Sequence, residues 1–169
     1  MGKRNYLIEG VSCTGKTTVC NELQSRGYHA IHGDRELAYQ GDPETGEPTN
    51  SGTHENHIWD LDKVKACVAN SDEEITFFCG GSRNFSKFIE LFDGVFVLDI
   101  DRGTLQQRLD ERPQNEWGAK KSERDLILRL HETKEDIPKN GVLIDGTKSI
   151  EQVVDDILFH CEKNDRQQT

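Results

Sequence analysis

The chain has 169 residues, the usual length of a single domain. Its 21 lysines and arginines are outnumbered by 31 aspartates and glutamates, and the net charge of −10 argues against nucleic acid or an anionic membrane as a non-specific partner. Five cysteines without a C-x-x-C pair indicate neither a disulfide framework nor a zinc site, and no apolar run approaches a membrane span, so we expect a cytoplasmic protein.

The first strongly patterned stretch is residues 10–17, Gly-Val-Ser-Cys-Thr-Gly-Lys-Thr, which fits the phosphate-loop pattern G-x-x-x-x-G-K-[ST]. The residues at 5–9 before it predict a short buried strand. The residues at 17–26 after it predict a helix that Gly27 closes. Strand, glycine loop and helix in this order are the context that the pattern requires, so the sequence predicts a phosphate-binding site here.

Each residue type in this loop suits the binding of phosphate. Gly10 and Gly15 let the backbone turn so that successive N–H groups face one phosphate, and the dipole of the following helix points at the same place. Lys16 adds a mobile positive charge, and the hydroxyl of Thr17 would ligate Mg²⁺. The residues predicted to bind the nucleotide here are Gly10, Ser12, Cys13, Thr14, Gly15, Lys16, Thr17 and Thr18.

Short apolar runs and helical patterns alternate along the rest of the chain. Strands are predicted at 28–32, 76–79, 95–100 and 142–145. Helices are predicted at 36–40, 59–69, 84–92, 104–111, 122–136 and 149–161. The alternation predicts an α/β fold, a single domain over 1–161 in which helices cover both faces of a parallel sheet. The polar tail at 162–169 is expected to fray.

Two polar, turn-forming segments interrupt this alternation, at 41–57 and at 112–121. Long loops in compact domains are usually functional or disordered. Beside a phosphate loop, one segment could cover the acceptor and the other could close over ATP. Trp59 and Trp117 belong to these cover segments, where each tryptophan could stack on a ligand or anchor its loop to the core.

His54 and His57 lie at the end of the first of these segments, three residues apart. Their spacing would suit a metal only if the segment were helical, and no third ligand stands out near them. We therefore interpret them as solvated histidines or as neighbours of the substrate.

Acidic residues follow two of the predicted strands, at the edge where ligands of parallel sheets bind. Asp34 could accept the proton of an attacking hydroxyl or hold a magnesium-bound water, but it could equally cap the helix at 36–40. Asp99 could position Mg²⁺, whereas Asp101 fits a helix cap better.

Gly80, Gly81 and Arg83 follow the strand at 76–79. Two glycines let the backbone approach a ligand closely, and the planar guanidinium suits a phosphate or a carboxylate. A Gly-Gly turn with a solvent-facing arginine and Ser82 as a helix cap is the alternative. We favour the functional interpretation because this strand end would be the third to carry polar groups.

Cationic residues cluster around the second interruption. They are Arg102, Arg108, Arg112, Lys120, Lys121, Arg124 and Arg129. Arginines stabilise the charge on a transferring phosphoryl group, although pairing with acidic neighbours on the helix surface would explain them equally. We expect Arg112, Arg124 and Arg129 to be functional and the others to lie mostly at the surface.

From about residue 6 to residue 158 the chain resembles the P-loop kinases, the group that includes adenylate and other nucleoside monophosphate kinases, shikimate kinases and gluconate kinases. Beyond the loop, the resemblance rests on short stretches after the later strands and around the second interruption. These stretches are Gly33-Asp34, Gly80-Gly81-Ser82-Arg83, Arg108-Leu109 with Arg112, Arg129-Leu130 and Asp145-Gly146-Thr147.

The resemblance implies a P-loop NTPase fold with five parallel strands in the order 2-3-1-4-5, an acceptor-binding region at about 34–71 and a short lid at about 113–121. It implies that Arg112 lies on the base of ATP and that Gly146 and Thr147 touch the adenine. Those positions are therefore added to the predicted nucleotide site.

The chain departs from adenylate kinases at Cys79, where that family has an aspartate on the magnesium side. Mg²⁺ would then rest on Thr17, with help from Asp34 or Asp99. The short lid and the arginine directly after Gly33-Asp34 also depart from the adenylate kinase pattern. A related but distinct kinase fits better.

These residues predict an ATP- and Mg²⁺-dependent kinase that phosphorylates a small soluble acceptor, a nucleoside or another hydroxyl compound, and acts as a monomer or homodimer. The predicted catalytic residues are Lys16, Asp34, Arg83 and Arg129, and the predicted metal ligands are Thr17 and Asp34. One alternative is a nucleoside monophosphate kinase of unusual specificity. Another is a regulatory protein that binds nucleotide without transferring phosphate. The absence of an N-K-x-D motif argues against a GTPase.

Overall fold

Strands and helices alternate along residues 3–168, which the computed structural model describes. The strands are β1 (Arg4–Gly10), β2 (His29–His32), β3 (Ala38–Gln40), β4 (His57–Trp59), β5 (Ile75–Cys79), β6 (Gly94–Asp99) and β7 (Val142–Asp145). The α-helices are α1 (Lys16–Ser25), α2 (Gly33–Glu36), α3 (Leu61–Ala69), α4 (Arg102–Asp110), α5 (Lys121–Thr133) and α6 (Ile150–Gln168).

Five strands form one parallel sheet in the spatial order β2-β5-β1-β6-β7. Numbered among themselves along the chain, they have the order 2-3-1-4-5, so the predicted topology is confirmed. β1 lies in the middle, and its Ile8 pairs with Cys79 of β5 on one side and with Phe96 of β6 on the other. The loops that follow these three strands therefore surround one space at the carboxyl edge of the sheet.

The sheet buries apolar side chains on both faces, as parallel strands generally do. Along β1, Tyr6 and Ile8 pack in a cluster that includes residues of α1 and α6, whereas Leu7 packs on the other face in a cluster with Trp59. A third cluster joins α4 and α5 to the end of β6. The phosphate loop thus starts from a strand that is held on both faces and by two neighbours.

The prediction of a helix at 36–40 is wrong. α2 ends at Glu36, and the next residues form β3, which pairs antiparallel with β4 so that Ala38 lies opposite Trp59. Gly33 permits this arrangement because the ring of Trp59 occupies the space that a side chain at position 33 would need. The local helical pattern is overridden by pairing with a strand about 20 residues away, as tertiary context commonly overrides propensity.

The helix predicted at 84–92 is also wrong, because the segment folds as two 3-10 turns at Phe85–Lys87 and Ile89–Leu91. The side chain of Asn84 accepts a hydrogen bond from the N–H of Trp59 at 3.1 Å and donates one to its carbonyl at 3.0 Å. The ring of Phe88 stacks on Trp59 with centroids 5.5 Å apart. These contacts hold the chain in turns tighter than an α-helix.

The other predicted helices are confirmed with shifted ends. Asp60 and Asp101 accept hydrogen bonds from the N–H groups of Lys63 and Thr104 at 3.2 and 3.0 Å, so the capping role expected for Asp101 is confirmed. α6 continues to Gln168, so the tail expected to fray from residue 162 is helical as far as the structure describes it. No helix within residues 3–168 is long and apolar enough to span a membrane.

Candidate functional site

The phosphate loop opens into a cleft of about 810 Å³ at the carboxyl edge of the sheet. Most of the residues predicted to bind nucleotide or acceptor lie in its wall. They are Gly10, Ser12, Cys13, Thr14, Gly15, Lys16, Thr17, Thr18, Asp34, Arg83, Arg112 and Gly146. His54, His57 and Trp117 line the same cleft, so segments far apart in the sequence meet here.

The phosphate loop adopts the tight turn that its glycines predict. Gly10, Cys13 and Gly15 have positive φ angles of 152°, 72° and 107°. A side chain at position 10 would lie 2.6 Å from Oγ1 of Thr14 and 2.8 Å from the carbonyl oxygen of Leu98, so both the space and the conformation require glycine there. The hydroxyl of Thr14 donates to the carbonyl of Val11 at 2.8 Å, which closes the turn.

Hydrogen-bond donors dominate the end of this loop. α1 begins at Lys16 without a side-chain cap, which leaves its first N–H groups for a ligand. Nζ of Lys16 donates to the carbonyl of Gly10 across the loop. Backbone N–H groups, a helix N-terminus and an ammonium group in one concave loop fit a polyphosphate.

Thr17 carries the hydroxyl that would ligate Mg²⁺, and its side chain is exposed in the cleft wall. Within the described residues, no three His, Cys, Asp or Glu side chains come together as a metal site. Mg²⁺ commonly keeps several water ligands beside one or two protein oxygens and the phosphates of a substrate. A single hydroxyl beside the phosphate loop fits that mode of binding.

Asp34 forms the centre of a hydrogen-bonded group in the wall of the cleft. Its Oδ1 accepts hydrogen bonds from Nε2 of His57 at 2.9 Å, Nε1 of Trp59 at 3.3 Å and the N–H of Gly81 at 3.4 Å. Burial alone would raise the pKa of Asp34, but the bond from His57 and the charge of Lys16 outweigh it and hold that pKa below its usual value. The helix-cap interpretation of Asp34 is wrong, since its carboxylate binds β4 and the β5 loop instead.

The two glycines after β5 make room for two carboxyl groups. A side chain at Gly80 would lie 2.8 Å from Oδ1 of Asp34, and one at Gly81 would lie 2.7 Å from Oε1 of Glu9. The sequence predicted that these glycines let the backbone approach a ligand. The structure shows that they let the backbone approach the carboxylate of Asp34 in the cleft wall and the buried carboxyl group of Glu9.

Glu9 is a residue that the sequence reasoning missed. It ends β1 directly before the loop, it is 1% exposed, and its Oε1 accepts a hydrogen bond from the N–H of Gly10 at 3.1 Å. Burial raises the pKa of Glu9 to about 8, although the positive charges of Lys16 and Arg83 act to lower it. The signal in the sequence was an acidic residue at the end of an otherwise buried strand.

Arg83 pairs with a second acidic residue that was not predicted, Asp136. Nη1 of Arg83 lies 2.6 Å from Oδ2 of Asp136 and donates a hydrogen bond to the backbone carbonyl of Asp136 at 3.0 Å. Nε2 of His54 forms a hydrogen bond with the same Oδ2 at 3.0 Å. Burial alone would raise the pKa of Asp136, but the bond from His54 and the charge of Arg83 hold it below its usual value. A solvent-facing Arg83 is therefore ruled out.

The segments predicted to form the lid and the acceptor-binding region meet through a ring contact. The indole of Trp117 stacks on the imidazole of His54, with centroids 5.5 Å apart and planes 19° apart. Trp59, by contrast, is 1% exposed and stacks on Phe88 in the core, so the anchoring role holds for this tryptophan. Only its Nε1 reaches the site, through the bond to Asp34.

The structure differs from the prediction in which arginines around the second interruption line the cleft and which lie at the surface. Arg108, expected at the surface, lines the cleft and donates to the carbonyls of Cys13 at 2.9 Å and Gly146 at 2.8 Å. Arg112 lines the cleft as predicted and donates to the carbonyl of Trp117 at 2.6 Å. Arg108 thus ties the phosphate loop to the loop after β7, and Arg112 holds the lid.

Two arginines expected to be functional lie away from the cleft. Arg124 pairs with Asp110 at 2.6 Å. The side chain of Arg129 is 64% exposed and lies 3.7 Å from Glu135, so the structure does not support its predicted catalytic role. Both residues fit the alternative of ion pairs on the helix surface.

Two further predicted positions also lie outside the cleft wall. Thr147 donates its hydroxyl and its N–H to Asp145, and only the neighbouring Gly146 reaches the cleft. Asp99 pairs with Lys134 at 3.0 Å, so it does not serve the magnesium side of the phosphate loop.

A model of the AAA domain family matches residues 7–129 of the sequence. The chain belongs to the AAA domain family. This AAA domain match begins in β1 and ends within α5, so it includes the phosphate loop, the acceptor region and the lid. No curated protein matches the sequence.

Solved structures of small-molecule kinases share the fold of this AAA domain protein. A shikimate kinase from Bacteroides thetaiotaomicron has a TM-score of 0.62 at 14% identity, over 94% of this chain and 98% of that chain. A gluconokinase from Sinorhizobium meliloti 1021 has a TM-score of 0.58 at 17% identity, over 98% and 97%. A deoxyadenosine kinase from M. mycoides with bound dATP has a TM-score of 0.51 at 14% identity, over 94% and 99%. The chain therefore has the fold of the P-loop kinase group.

Proposed function

We propose that the protein is a kinase that transfers the terminal phosphoryl group of ATP to a hydroxyl group of a small acceptor. The observation that carries this proposal is the hydrogen-bonded pair of Asp34 and His57, which opens into the same cleft as the phosphate loop. A carboxylate held in place beside a phosphate-binding loop suits the activation of a hydroxyl nucleophile.

On the donor side, the loop amides and Lys16 would hold the outer phosphates, and Thr17 would hold Mg²⁺. Bound Mg-ATP would supply the phosphoryl group, and the metal would neutralise part of its charge. Arg112 would contact the nucleotide from the lid side of the cleft. Arg108 would position the phosphate loop through its bond to the carbonyl of Cys13.

On the acceptor side, Asp34 would accept the proton of the attacking hydroxyl. The three donors that bind Asp34 all share Oδ1, so we assign the proton to Oδ2. The acceptor oxygen then forms a bond to phosphorus as the bond between phosphorus and the leaving oxygen of ADP breaks. Since the pKa of Asp34 is below its usual value, its carboxylate is ionised at neutral pH and ready to accept the proton. The same position would let Asp34 support Mg²⁺ through a water.

A nucleotide-binding regulator that transfers no phosphate is the second candidate. The observation in its favour is Cys79, a thiol that is 3% exposed at the end of β5, where the magnesium-side carboxylate of adenylate kinases would stand. A protein of this kind would bind nucleotide tightly and would not turn it over with any acceptor.

ADP release from Mg-ATP tests the proposal directly. We would assay a panel of nucleosides, nucleoside monophosphates, sugars, sugar acids and shikimate, and we expect one class to stimulate release. Lys16→Ala should lower the stimulated rate roughly 10²–10³-fold, the loss typical when one group that stabilises transition-state charge is removed. Lys65→Ala, an exposed lysine on α3, is the matched control and should keep the full rate. Tight binding without stimulated release would support the regulator instead.

A further inference from the structure

The charge of Arg83, in the wall of the cleft, is already paired with a carboxylate. Arg83 lies 2.6 Å from Asp136, and both side chains are 12% exposed. Asp34 adds a second carboxylate to the wall of the same cleft. Lys16 and Arg108 donate to carbonyls of the phosphate loop, and the charge of Lys16 also acts on Asp34 and Asp136.

The pairing of Arg83 with Asp136 and the carboxylate of Asp34 in the same cleft disfavour the binding of an anionic acceptor. A phosphate or carboxylate group would have to displace Asp136 from Arg83, or else lie near two carboxylates of like charge. Displacement would also break the bond between His54 and Asp136 and disturb the stack of His54 on Trp117. Leaving Asp136 buried without its partners is strongly unfavourable.

An uncharged polar acceptor would leave the pair intact. Arg83, Asp136 and His54 all line the cleft, and the three side chains are bonded to one another there. A neutral ligand needs no free cation, so it can bind beside this group while Arg83 stays bonded to Asp136.

We propose that Arg83, Asp136 and His54 form a specificity site that accepts an uncharged acceptor, such as a nucleoside or a neutral sugar, and rejects anionic acceptors such as nucleoside monophosphates and sugar acids. The inference rests on the proposed kinase function and names the substrate class of the same cleft. It assigns Asp136 a role that the sequence did not indicate.

Inorganic phosphate is a suitable probe, because it needs an unpaired cation to bind. We would saturate the phosphate loop with Mg²⁺ and the non-hydrolysable ATP analogue AMP-PNP, and then titrate phosphate by calorimetry. The wild type should bind phosphate weakly. Asp136→Asn, which frees Arg83, should bind it at least about 10-fold more tightly, the change expected when one charge-assisted contact becomes available.

Asp155→Asn is the matched control, because Asp155 pairs with Arg26 at 2.7 Å away from the cleft. It should bind phosphate as weakly as the wild type. Equal phosphate binding in Asp136→Asn and Asp155→Asn, whether tight or weak, would overturn the inference. If Asp136→Asn does not fold, the wild type still decides. Tight phosphate binding that Arg83→Gln abolishes would overturn the inference, and weak binding would support it.

Two further readouts separate this inference from the proposed function. If the wild type does not bind Mg-AMP-PNP, the kinase proposal fails, and the comparison of Asp136→Asn with Asp155→Asn is repeated in the Lys16→Ala background, so that phosphate binding at the loop is weakened and the difference still tests Arg83. Among matched acceptors, adenosine against AMP and ribose against gluconate, ADP release with only the anionic members would overturn the inference and uphold the kinase. Release with the neutral members alone would uphold both, and release with both kinds would uphold the kinase and overturn the inference.

Discussion

At the scale of single residues, the chemistry of the cleft depends on pairs that are distant in the sequence. Asp34 and His57 are 23 residues apart and are joined by a 2.9 Å hydrogen bond. Arg83 and Asp136 are 53 residues apart and lie 2.6 Å from each other. In each pair one side chain was predicted to be functional, and the contact with its partner fixes its orientation.

Replacing Asp34 with asparagine tests its role as the base. The amide would keep most of the shape of the site but could not accept a proton, so we expect kcat to fall roughly 10²–10⁴-fold with little change in the binding of Mg-ATP. Stimulated ADP release and nucleotide calorimetry measure the two quantities. Asp62→Asn, at an exposed position on α3, should leave both unchanged. A small effect of Asp34→Asn on kcat would favour a phosphate acceptor, which needs no base.

Glu9 should make stability depend on pH in an unusual direction. Burial raises its pKa from 4.5 to about 8, so between these values the folded protein holds a proton that the unfolded chain has released. The free energy of unfolding contributed by this group therefore falls as the pH rises from about 5 to 8 and is constant above that range. Over the whole range the change is on the order of a few kcal/mol.

Glu9→Gln removes this titration while keeping the size of the side chain. Urea unfolding at several pH values should show that the stability of Glu9→Gln falls less steeply than that of the wild type as the pH rises. Glu162→Gln, an exposed position on α6, should follow the wild type. Parallel curves for wild type and Glu9→Gln would show that Glu9 does not hold a proton in the folded protein.

At the scale of elements, the short β3–β4 pair determines the geometry of the acceptor side. Its register places His57 opposite Gln40 and Trp59 opposite Ala38. Because side chains alternate along a strand, Ile58 lies between them and packs into the interior. The helix predicted at 36–40 would have carried none of this pairing, so His57 would not have been fixed beside Asp34.

Gly33→Ala tests how tightly α2 packs on β4. The added methyl group would overlap the ring of Trp59, so we expect a loss of about 1–3 kcal/mol in the free energy of unfolding, the usual effect of overpacking a filled core. Urea unfolding followed by tryptophan fluorescence would measure it. Gly103→Ala, at an exposed position in α4 where the added methyl group would meet only Oδ2 of Asp101 at 3.1 Å, should lose much less. Equal stability of both variants would show that Trp59 has room to move.

At the scale of the whole molecule, a nucleotide in the cleft would contact loops from both halves of the sheet. A ligand that binds only the folded state stabilises it by about 2.7 kcal/mol at 100 times its Kd. For a chain of this size we therefore expect Mg-ATP to raise Tm by roughly 5–10 °C. Thermal unfolding measures the shift, which EDTA should reduce if Mg²⁺ is bound through Thr17 and the phosphates.

Lys16→Ala should lose most of this thermal shift, whereas Lys65→Ala should keep it. A full shift in Lys16→Ala would mean that the nucleotide binds somewhere other than the phosphate loop. No shift in the wild type would contradict nucleotide binding altogether.

The sequence by itself determined the phosphate loop and the five parallel strands, because these features depend on residues close together in the chain. The order of the strands came from the resemblance to the P-loop kinases. Glycine spacing, apolar runs and an alternation of strand and helix are local patterns, and parallel topology follows from the connections. The same reasoning placed Lys16, Thr17 and Arg112 in the cleft wall, where the structure has them.

Only the tertiary structure decided which side chains complete the site. The β3–β4 pair, the partners of Asp34 and Arg83, the burial of Glu9 and the inward position of Arg108 all depend on contacts across many residues of chain. A helical pattern gives no sign of whether its arginine faces a cleft or solvent, which is why Arg108 and Arg129 were predicted the wrong way round. Packing between distant parts of the chain determines the orientation of these arginines, and the spacing of residues within one helix does not indicate it.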